Sequence, residues 1–208
     1  MKLFWSSRSP FVRKVMIVAH ETGLAANIEP VRTVVAPTKP NPEVMAANPL
    51  NKLPTLLLDT GDVLYDSRVI VEYLDTLHTG LRLFPADALA RFEALRLQAL
   101  ADGILDFLLL GLSERARPAD QQSAPLVAAL GAKFVAAFDQ LEREASRPFF
   151  AADPTPTIGH ICVAVACGYA DFRYAGEAWR TGRPQLAAWH AQFAARASYR
   201  ATEHQDVY

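Results

Sequence analysis

The 208-residue chain has few cysteines and almost no net charge, and each shortage excludes a class of function. Its two cysteines, Cys162 and Cys167, lie five apart in a helical stretch and so on different faces, which favours neither a disulfide nor a zinc pair. The 21 basic and 22 acidic residues give a net charge of −1 without a basic run. Nucleic acid and anionic membranes are therefore poor candidates as main partners.

The chain also has no long apolar run, glycine-rich phosphate loop or metal-type histidine pair. The longest apolar run, residues 161–170, is well short of the roughly 20 residues that a membrane span needs. The N-terminal MKLFWSSRSPFVRK has charges and hydroxyls where a signal peptide has an apolar core. None of the five histidines has an i, i+4 partner or an acidic companion, so no metal site is predicted. We expect a soluble, cytoplasmic protein of a reducing compartment, with no membrane or nucleic-acid partner.

The stretch from 48 to 67, NPLNKLPTLLLDTGDVLYDS, carries most of the functional signal. Two short apolar runs flank Asp-Thr-Gly-Asp, which predicts a hairpin of two strands. Pro54 precedes the first strand, either as an ordinary strand-start residue or in a cis peptide that makes a tight turn. In the cis case, the Leu53 backbone N–H and C=O are free to pair with an extended peptide like an added strand.

Asp66 and Ser67 follow the hairpin and precede an amphipathic helix, whose apolar residues recur at helical spacing. A helix start offers unpaired N–H groups and a positive dipole, so it holds a carboxylate, and the Ser67 hydroxyl adds a donor. Asp66 can accept hydrogen bonds from a ligand ammonium. The alternative is that one of these residues simply caps the helix.

Together these features resemble a cytosolic glutathione S-transferase. In that family an x-Pro turn pairs with the cysteinyl backbone of glutathione, and an Asp-Ser or Glu-Ser pair binds its γ-glutamyl end. The resemblance places these roles on Leu53, Pro54, Asp66 and Ser67 and implies glutathione as co-substrate. SSRSPFVRKVMIVAHETGL resembles the family's first strand-to-helix segment, and ALADGILD, ACGYADFR and WRTGRPQLAAWHAQF resemble a bacterial subgroup. The resemblance therefore covers nearly the whole chain.

The pattern along the chain agrees with the two-domain fold that the resemblance implies. Residues 1–78 predict β-α-β, a loop with Pro37, Pro40 and Pro42 that bars regular helix, and then β-β-α, which is an α/β thioredoxin-like domain. Residues 79–86 predict a linker, and residues 87–208 an all-α bundle. Its helices are expected near 87–116, 123–145, 157–173 and 184–197.

A transferase of this family must favour the thiolate of glutathione, and a cysteine-type thiol has a reference pKa of roughly 8.5. A hydroxyl at the first helix start does so by hydrogen bonding to sulfur, assisted by the helix dipole. Ser9 caps the helix that Pro10 begins and matches the family's Ser-Pro-Phe position, so it is the preferred catalytic residue. Ser6, the first of a Ser-Ser pair, is the alternative and Ser7 the third choice, and Ser9 can also be a helix cap only.

No cysteine lies near Ser9, whereas omega-like, beta-like and glutaredoxin-like relatives use cysteine there for thiol-disulfide exchange. The resemblance thus implies an enzyme that conjugates glutathione to small hydrophobic electrophiles in detoxification. Two alternatives remain: a glutathione-dependent reductase of peroxides or disulfides, and a non-catalytic glutathione- or ligand-binding protein of the same fold.

The resemblance assigns functional roles to further side chains, and each of them also has an alternative interpretation without a function. Lys39 and Lys52 can pair with the glycyl carboxylate of glutathione or be solvated surface lysines. Asp102 and Asp106 share one face of the first long helix. In the implied homodimer either can reach the partner's glutathione, or both are exposed carboxylates. Four side chains can line the electrophile pocket or belong to the core: Phe11, Phe107, Leu110 and Tyr169.

One departure from the family occurs at a late helix, which begins Thr157-Ile158-Gly159-His160 in place of a Ser/Thr-x-x-Asp capping box. Thr157 can still cap the helix, but His160 is expected to weaken the reciprocal bond by about 0.5–1 kcal/mol. On this basis His160→Asp is expected to raise the melting temperature.

Overall fold

The computed structural model describes residues 1–36, 38–80, 82–150 and 155–206, and the chain divides into two compact units. One unit holds residues 1–84 and 197–208, and the other holds residues 85–196. The predicted linker at 79–86 contains the boundary, although Leu81 within it lies outside the described residues, as does Pro37. The C-terminal residues group with the N-terminal unit, which differs from their predicted place in the helical domain.

A four-stranded sheet forms the centre of the N-terminal unit. Strand β1 (Lys2–Trp5) pairs in parallel with β2 (Glu29–Arg32) and antiparallel with β3 (Thr55–Leu57). Strand β4 (Val63–Leu64) pairs antiparallel with β3, which gives the order β2-β1-β3-β4. The predicted β-α-β and β-β-α arrangement is confirmed.

Helices α1 (Pro10–Glu21) and α3 (Ser67–Thr76) pack against each other in this unit. Their apolar stripes and the inward side chains of the strands make its core, which includes Leu3, Val15, Ile17, Leu56, Ile70 and Leu74, all without exposed surface. Apolar burial of this kind contributes about 1.5–3 kcal/mol for each large aliphatic side chain. The core thereby fixes the starts of both helices relative to the sheet.

The proline-rich loop after β2 contains a short helix that the sequence did not predict, α2 (Pro42–Ala47). Pro42 occupies its first turn, where the missing N–H has no intrahelical partner to lose. The side chain of Asn41 accepts hydrogen bonds from the backbone N–H groups of Glu43 and Val44, at 3.0 and 3.3 Å. The proline that was expected to bar a helix therefore begins one.

The second unit is all-helical, as predicted, with α4 (Ala88–Arg115), α5 (Ala124–Ala145), α6 (Ile158–Arg173) and α7 (Pro184–Ala194). Helix α6 is buried continuously from Ile158 to Ala170 and packs along α4. Gly159 permits this close approach, because a Cβ there would lie 2.8 Å from the Ala94 carbonyl oxygen. A short helix of four residues, α8 (Ala197–Arg200), follows α7 but belongs to the first unit.

Helix α5 is long and apolar enough, by length and composition alone, to cross a membrane. It contains no long uninterrupted apolar run, because Lys133 and Asp139 divide its alanine-rich sequence. Core helices of proteins without a membrane span pass the same test. One face of α5, with Leu130, Phe134 and Phe138, is buried in the described structure.

At the start of α6, His160 completes the capping box that its side chain was expected to weaken. The Thr157 N–H donates to His160 Nδ1 at 3.0 Å, and His160 Nε2 lies 2.8 Å from the Phe149 carbonyl oxygen. The imidazole ring also stacks on Phe149, with centroids 4.8 Å apart. Because Nδ1 accepts and Nε2–H donates, the neutral ring serves both partners. The expectation of a weakened cap is wrong.

We therefore expect His160→Asp to lower the melting temperature, reversing the expectation drawn from the sequence. Aspartate can keep the Thr157 bond, but it loses the Phe149 bond and the ring contacts and places a charge in a buried site. The free energy of unfolding should fall by about 1–3 kcal/mol, measured by chemical denaturation. His160→Asn, which lacks the charge, should lose less. An unchanged or raised stability of the Asp variant would contradict the role of the ring.

A buried carboxylate ties α4 to the end of α5. Glu144 accepts hydrogen bonds from Arg96 and Arg147, both at 2.7 Å, and from Gln140 at 2.6 Å. Burial disfavours the charged form, but the hydrogen bonds from Arg96, Arg147 and Gln140 outweigh it and lower the pKa of Glu144 to about 2. The carboxylate is thus held ionised between two helices.

Because the folded-state pKa of Glu144 lies below its ordinary value of 4.5, its stabilisation is present above that pH and is lost as the pH falls towards 2. We expect Glu144→Gln to lower the free energy of unfolding by about 2–3 kcal/mol at pH 7. The difference in the free energy of unfolding between the variant and the wild type should disappear as the pH falls from about 4.5 to about 2. Urea denaturation across this range tests it, and a gap that stays constant down to pH 3 would count against the paired carboxylate.

Candidate functional site

Ser9 stands at the start of α1 as its N-cap. Its Oγ accepts a hydrogen bond from the Val12 N–H at 3.3 Å, and its carbonyl accepts from the Arg13 N–H at 3.0 Å. Pro10 is the first residue of the helix, and Ser9 is half-buried. A hydroxyl that accepts from the backbone still has its own proton to donate. Ser9 is therefore both a cap and an available donor, so the two alternatives do not exclude each other.

The other two serines lie in the turn between β1 and α1. Ser6 Oγ accepts from the Arg8 N–H at 3.3 Å, and the Ser6 carbonyl accepts from the Ser9 N–H at 3.2 Å. Ser7 Oγ donates to the carbonyl of Gln205 at 3.0 Å, so its proton is already used. Ser6 retains its proton but stands three residues before the helix. The choice of Ser9 over Ser6 stays a prediction.

The Leu53–Pro54 peptide is cis, which confirms one of the two alternatives for this proline. Among the described residues, neither the N–H nor the C=O of Leu53 has a hydrogen-bond partner. Thr55 Oγ1 donates to the Lys52 carbonyl at 2.9 Å and accepts from Asn48 Nδ2 at 2.9 Å, which holds the turn from behind. The turn thus presents an open pair of backbone groups.

At the start of α3, Asp66 is the N-cap and Ser67 the first helical residue. An Asp66 carboxylate oxygen accepts from the Arg68 N–H at 2.9 Å, and the Asp66 side chain is exposed. The Tyr65–Asp66 peptide is also cis. Ser67 is 3% exposed, and its hydroxyl makes no hydrogen bond to any residue that the structure describes. Capping of α3 explains one role of the Asp66 carboxylate, but it gives no role to the Ser67 hydroxyl.

The strand register brings these three features to one edge of the sheet. Phe4 near the end of β1 pairs with Thr55 at the start of β3. Leu64 at the end of β4 pairs with Leu56 of β3. The turn that leads to Ser9, the cis-proline turn and the start of α3 all leave the sheet at this edge.

Lys39 and Lys52 flank this region and have exposed side chains. The backbone N–H of Lys39 donates to the Ala36 carbonyl at 3.2 Å, which closes a small turn. The Lys52 carbonyl supports the cis-proline turn described above. A ligand role for either ammonium stays a prediction.

The two acidic candidates on α4 differ sharply in exposure. Asp102 is 1% exposed, whereas Asp106 is an exposed residue. Asp102 shares the buried face of the helix with Ala101 and Leu105. It is neither an exposed carboxylate nor accessible to the ligand of a partner subunit, which corrects both expectations for it. Asp106 alone keeps the predicted cross-subunit role.

Of the four candidate pocket residues, Phe107 lines a cavity of about 220 Å³ within the helical unit. The cavity lies among α4, α5 and the end of α6. Burial raises the pKa of Tyr174 in its wall, and the Tyr174 hydroxyl donates to the Leu108 carbonyl at 2.6 Å. Leu110 is 48% exposed and Tyr169 only 2%, and neither lines this cavity. Phe11 is half-buried on α1.

Both cysteines lie on α6, are fully buried and form no disulfide within the described residues. Burial raises the pKa of the Cys167 thiol well above its usual range. Within the part of the chain that the structure describes, no group of three or more His, Cys, Asp or Glu side chains is arranged to hold a metal ion. The chemistry that the described site offers is that of hydroxyl, carboxylate and backbone groups.

Comparison with known proteins identifies the family of this chain. The family model for the glutathione S-transferase N-terminal domain matches residues 8–77, and that for the C-terminal domain matches residues 124–192. The uncharacterized GST-like protein YibF of Escherichia coli (strain K12) is 34% identical over 203 residues, 98% of each protein. The chain belongs to the glutathione S-transferase family. The fold class implied by the resemblance, a thioredoxin-like unit and a helical unit, is therefore confirmed for this transferase relative.

Two crystal structures of a glutathione transferase family member from Pseudomonas fluorescens Pf-5 are similar to this chain at 40% identity. The structure with bound glutathione has a TM-score of 0.93 and matches over 98% of each chain. The structure with bound S-(propanoic acid)-glutathione has a TM-score of 0.88 and matches over 99% of this chain and 100% of the other.

Two contributors to the candidate site of this chain were not predicted from its sequence. Asn48 is 1% exposed and supports the cis-proline turn through Thr55. Asparagine side chains often bond to the backbone of a turn, so an asparagine close to an x-Pro turn is a signal that could have indicated this role. The second contributor is the segment from 201 to 206, which contacts the turn before Ser9. No local pattern connects residues nearly 200 positions apart, so this contact was not predictable from the sequence.

Proposed function

We propose that this protein is a serine-type glutathione transferase that conjugates glutathione to small hydrophobic electrophiles. The convergence of three features at one edge of the sheet carries the proposal: the Ser9 helix start, the open Leu53 backbone groups and the Asp66-Ser67 helix start. Glutathione is bound in a relative that is 40% identical and matches over 98% of each chain, which supports the same ligand here.

Each part of glutathione has a matching group at this edge. The cysteinyl backbone pairs with the Leu53 N–H and C=O in the manner of an added strand. The γ-glutamyl carboxylate takes the N–H groups at the start of α3 with the Ser67 hydroxyl, and Asp66 takes the ammonium. Lys39 or Lys52 supplies the positive charge for the glycyl carboxylate. Binding in this way uses mostly backbone groups.

Ser9 supplies the chemistry. Its hydroxyl donates to the sulfur, and the positive end of α1 also favours the negative charge. Lowering the thiol pKa by about two units requires roughly 2.7 kcal/mol of preference for the thiolate. A hydrogen bond to a charged acceptor is worth about 1.5–3 kcal/mol, which is sufficient. The thiolate then attacks the electrophilic carbon, and a new C–S bond forms as the leaving group departs or the adduct takes a proton.

Two observations favour conjugation over a mechanism that uses a protein thiol. Both cysteines are buried on α6, away from the start of α1 along the chain, so no protein thiol is available for a disulfide step there. The S-(propanoic acid)-glutathione held by the Pseudomonas relative is a thioether, the bond type that conjugation makes. We therefore favour a cytoplasmic detoxification role with glutathione as co-substrate and no metal.

We also propose that the protein is a homodimer. Leu89 and Phe92 on α4 are 81% and 68% exposed. Large apolar side chains exposed on neighbouring turns mark an interaction surface. A second copy of the chain is the partner that the family resemblance implies, and Asp106 is then the acidic residue available to it.

The pKa of the glutathione thiol when bound to the protein tests the role of Ser9. We expect the thiolate absorbance of bound glutathione to titrate about two units below that of free glutathione. Ser9→Ala should return the pKa towards the free value while glutathione still binds, because Leu53 and Ser67 are unchanged. Ser6→Ala is the matched control and should leave the pKa low.

If bound glutathione titrates like free glutathione in the wild type, the transferase proposal fails. If Ser6→Ala raises the pKa and Ser9→Ala does not, the function stands with Ser6 as the catalytic residue.

The homodimer predicts that Phe92→Arg yields a monomer. A charge placed in an apolar interface loses its hydration without a partner, so association should weaken by at least tenfold. Light scattering at micromolar concentration should show the mass of two chains for wild type and of one for the variant. Val135→Arg, at a side chain 52% exposed on α5, is the matched control and should remain dimeric. A monomeric wild type would remove both the homodimer and the cross-subunit role of Asp106.

A further inference from the structure

The segment from 201 to 206, called here the C-terminal segment, is bonded to the turn that precedes Ser9. Ser7 Oγ donates to the Gln205 carbonyl at 3.0 Å, and His204 Nδ1 lies 3.0 Å from the Ser7 carbonyl oxygen. Ser7 is therefore held from both its side chain and its backbone. It stands two residues before the hydroxyl on which the proposed reaction depends.

The next residue of the turn is held by charge. Arg8 Nε lies 2.9 Å from an Asp206 carboxylate oxygen, with both side chains partly exposed. A single pair of this kind stabilises little in water. It adds to the two Ser7 contacts, so two consecutive residues of the turn have partners in the C-terminal segment.

Helix α8, which the C-terminal segment follows, is bonded to α1, the helix that Ser9 begins. Arg13, 6% exposed, donates to the Tyr199 carbonyl at 3.2 Å, and its guanidinium lies 4.0 Å from the centre of the Tyr199 ring. Ser198 Oγ donates to a Glu21 carboxylate oxygen near the other end of α1. The segment therefore starts from a helix that is bonded to α1, and its own contacts with the turn are those of Ser7 and Arg8.

We propose that the C-terminal segment is a positioning element for Ser9, with His204 as its main contact. It holds the turn from Ser6 to Ser9 so that the Ser9 hydroxyl keeps one place at the start of α1. The inference rests on the proposed function of Ser9 and adds to it the residues that set its geometry. A hydrogen bond to sulfur depends steeply on distance and angle, so a looser turn weakens it without removing the hydroxyl.

The experiment compares the pKa of the bound glutathione thiol in wild type, His204→Ala and His204→Asn. We expect His204→Ala to raise this pKa by about half a unit, which is a threefold loss of thiolate preference. The amide nitrogen of asparagine takes nearly the place of Nδ1 and can donate to the Ser7 carbonyl, so His204→Asn should restore most of the shift. The glutathione Kd at pH 5.5, where the thiol is protonated, should change less than twofold.

Ser198→Ala is the matched control because it loosens α8 on α1 without touching the turn. It should lower the melting temperature and leave the thiol pKa unchanged. If His204→Ala behaves in the same way, the segment is only structural and the inference is overturned. If the wild type itself does not lower the thiol pKa, the proposed function of Ser9 fails, and the positioning role fails with it.

Discussion

The antiparallel register of β3 with both β1 and β4 is the constraint on which the rest of the site depends. Because Phe4 pairs with Thr55 and Leu64 pairs with Leu56, three separate connections leave the sheet at one edge. A shift of one residue in either pairing would move the core-facing side chains of the shifted strand to the opposite face of the sheet. The buried Leu3 and Leu56 therefore fix the core and, by the same register, the positions of the two helix starts.

The candidate site is built largely from main-chain groups. The Leu53 amide and carbonyl and the N–H groups at the start of α3 are available whatever side chains surround them. The side chains that matter most are small hydroxyls and one carboxylate, each placed by a helix start. Such a site tolerates sequence divergence, since the requirement falls on backbone shape. A relative at 40% identity has a similar fold over 98% of each chain.

Local patterns predicted the strands, the long helices and the chain positions of Ser9, Leu53, Asp66 and Ser67, because turn and cap chemistry is written in neighbouring residues. The structure differs where the deciding contact is distant in sequence or is shared by two groups. Asp102 was expected on an exposed face, since residue type alone does not reveal a carboxylate on the buried side of a helix.

His160 was expected to be a poor substitute for aspartate. The cap pattern does not contain the partner of its second ring nitrogen, which is the Phe149 carbonyl. Residues 197–206 were assigned to the helical domain by continuity of pattern, whereas their contacts return to α1. That return has a consequence for the order of events during synthesis. More than a hundred residues of the second unit are translated between the last strand of the sheet and the residues that pack against α1. At typical elongation rates the delay is roughly 5–20 s. During synthesis on the ribosome, the N-terminal unit therefore lacks the residues that pack against α1 until the second unit has been translated.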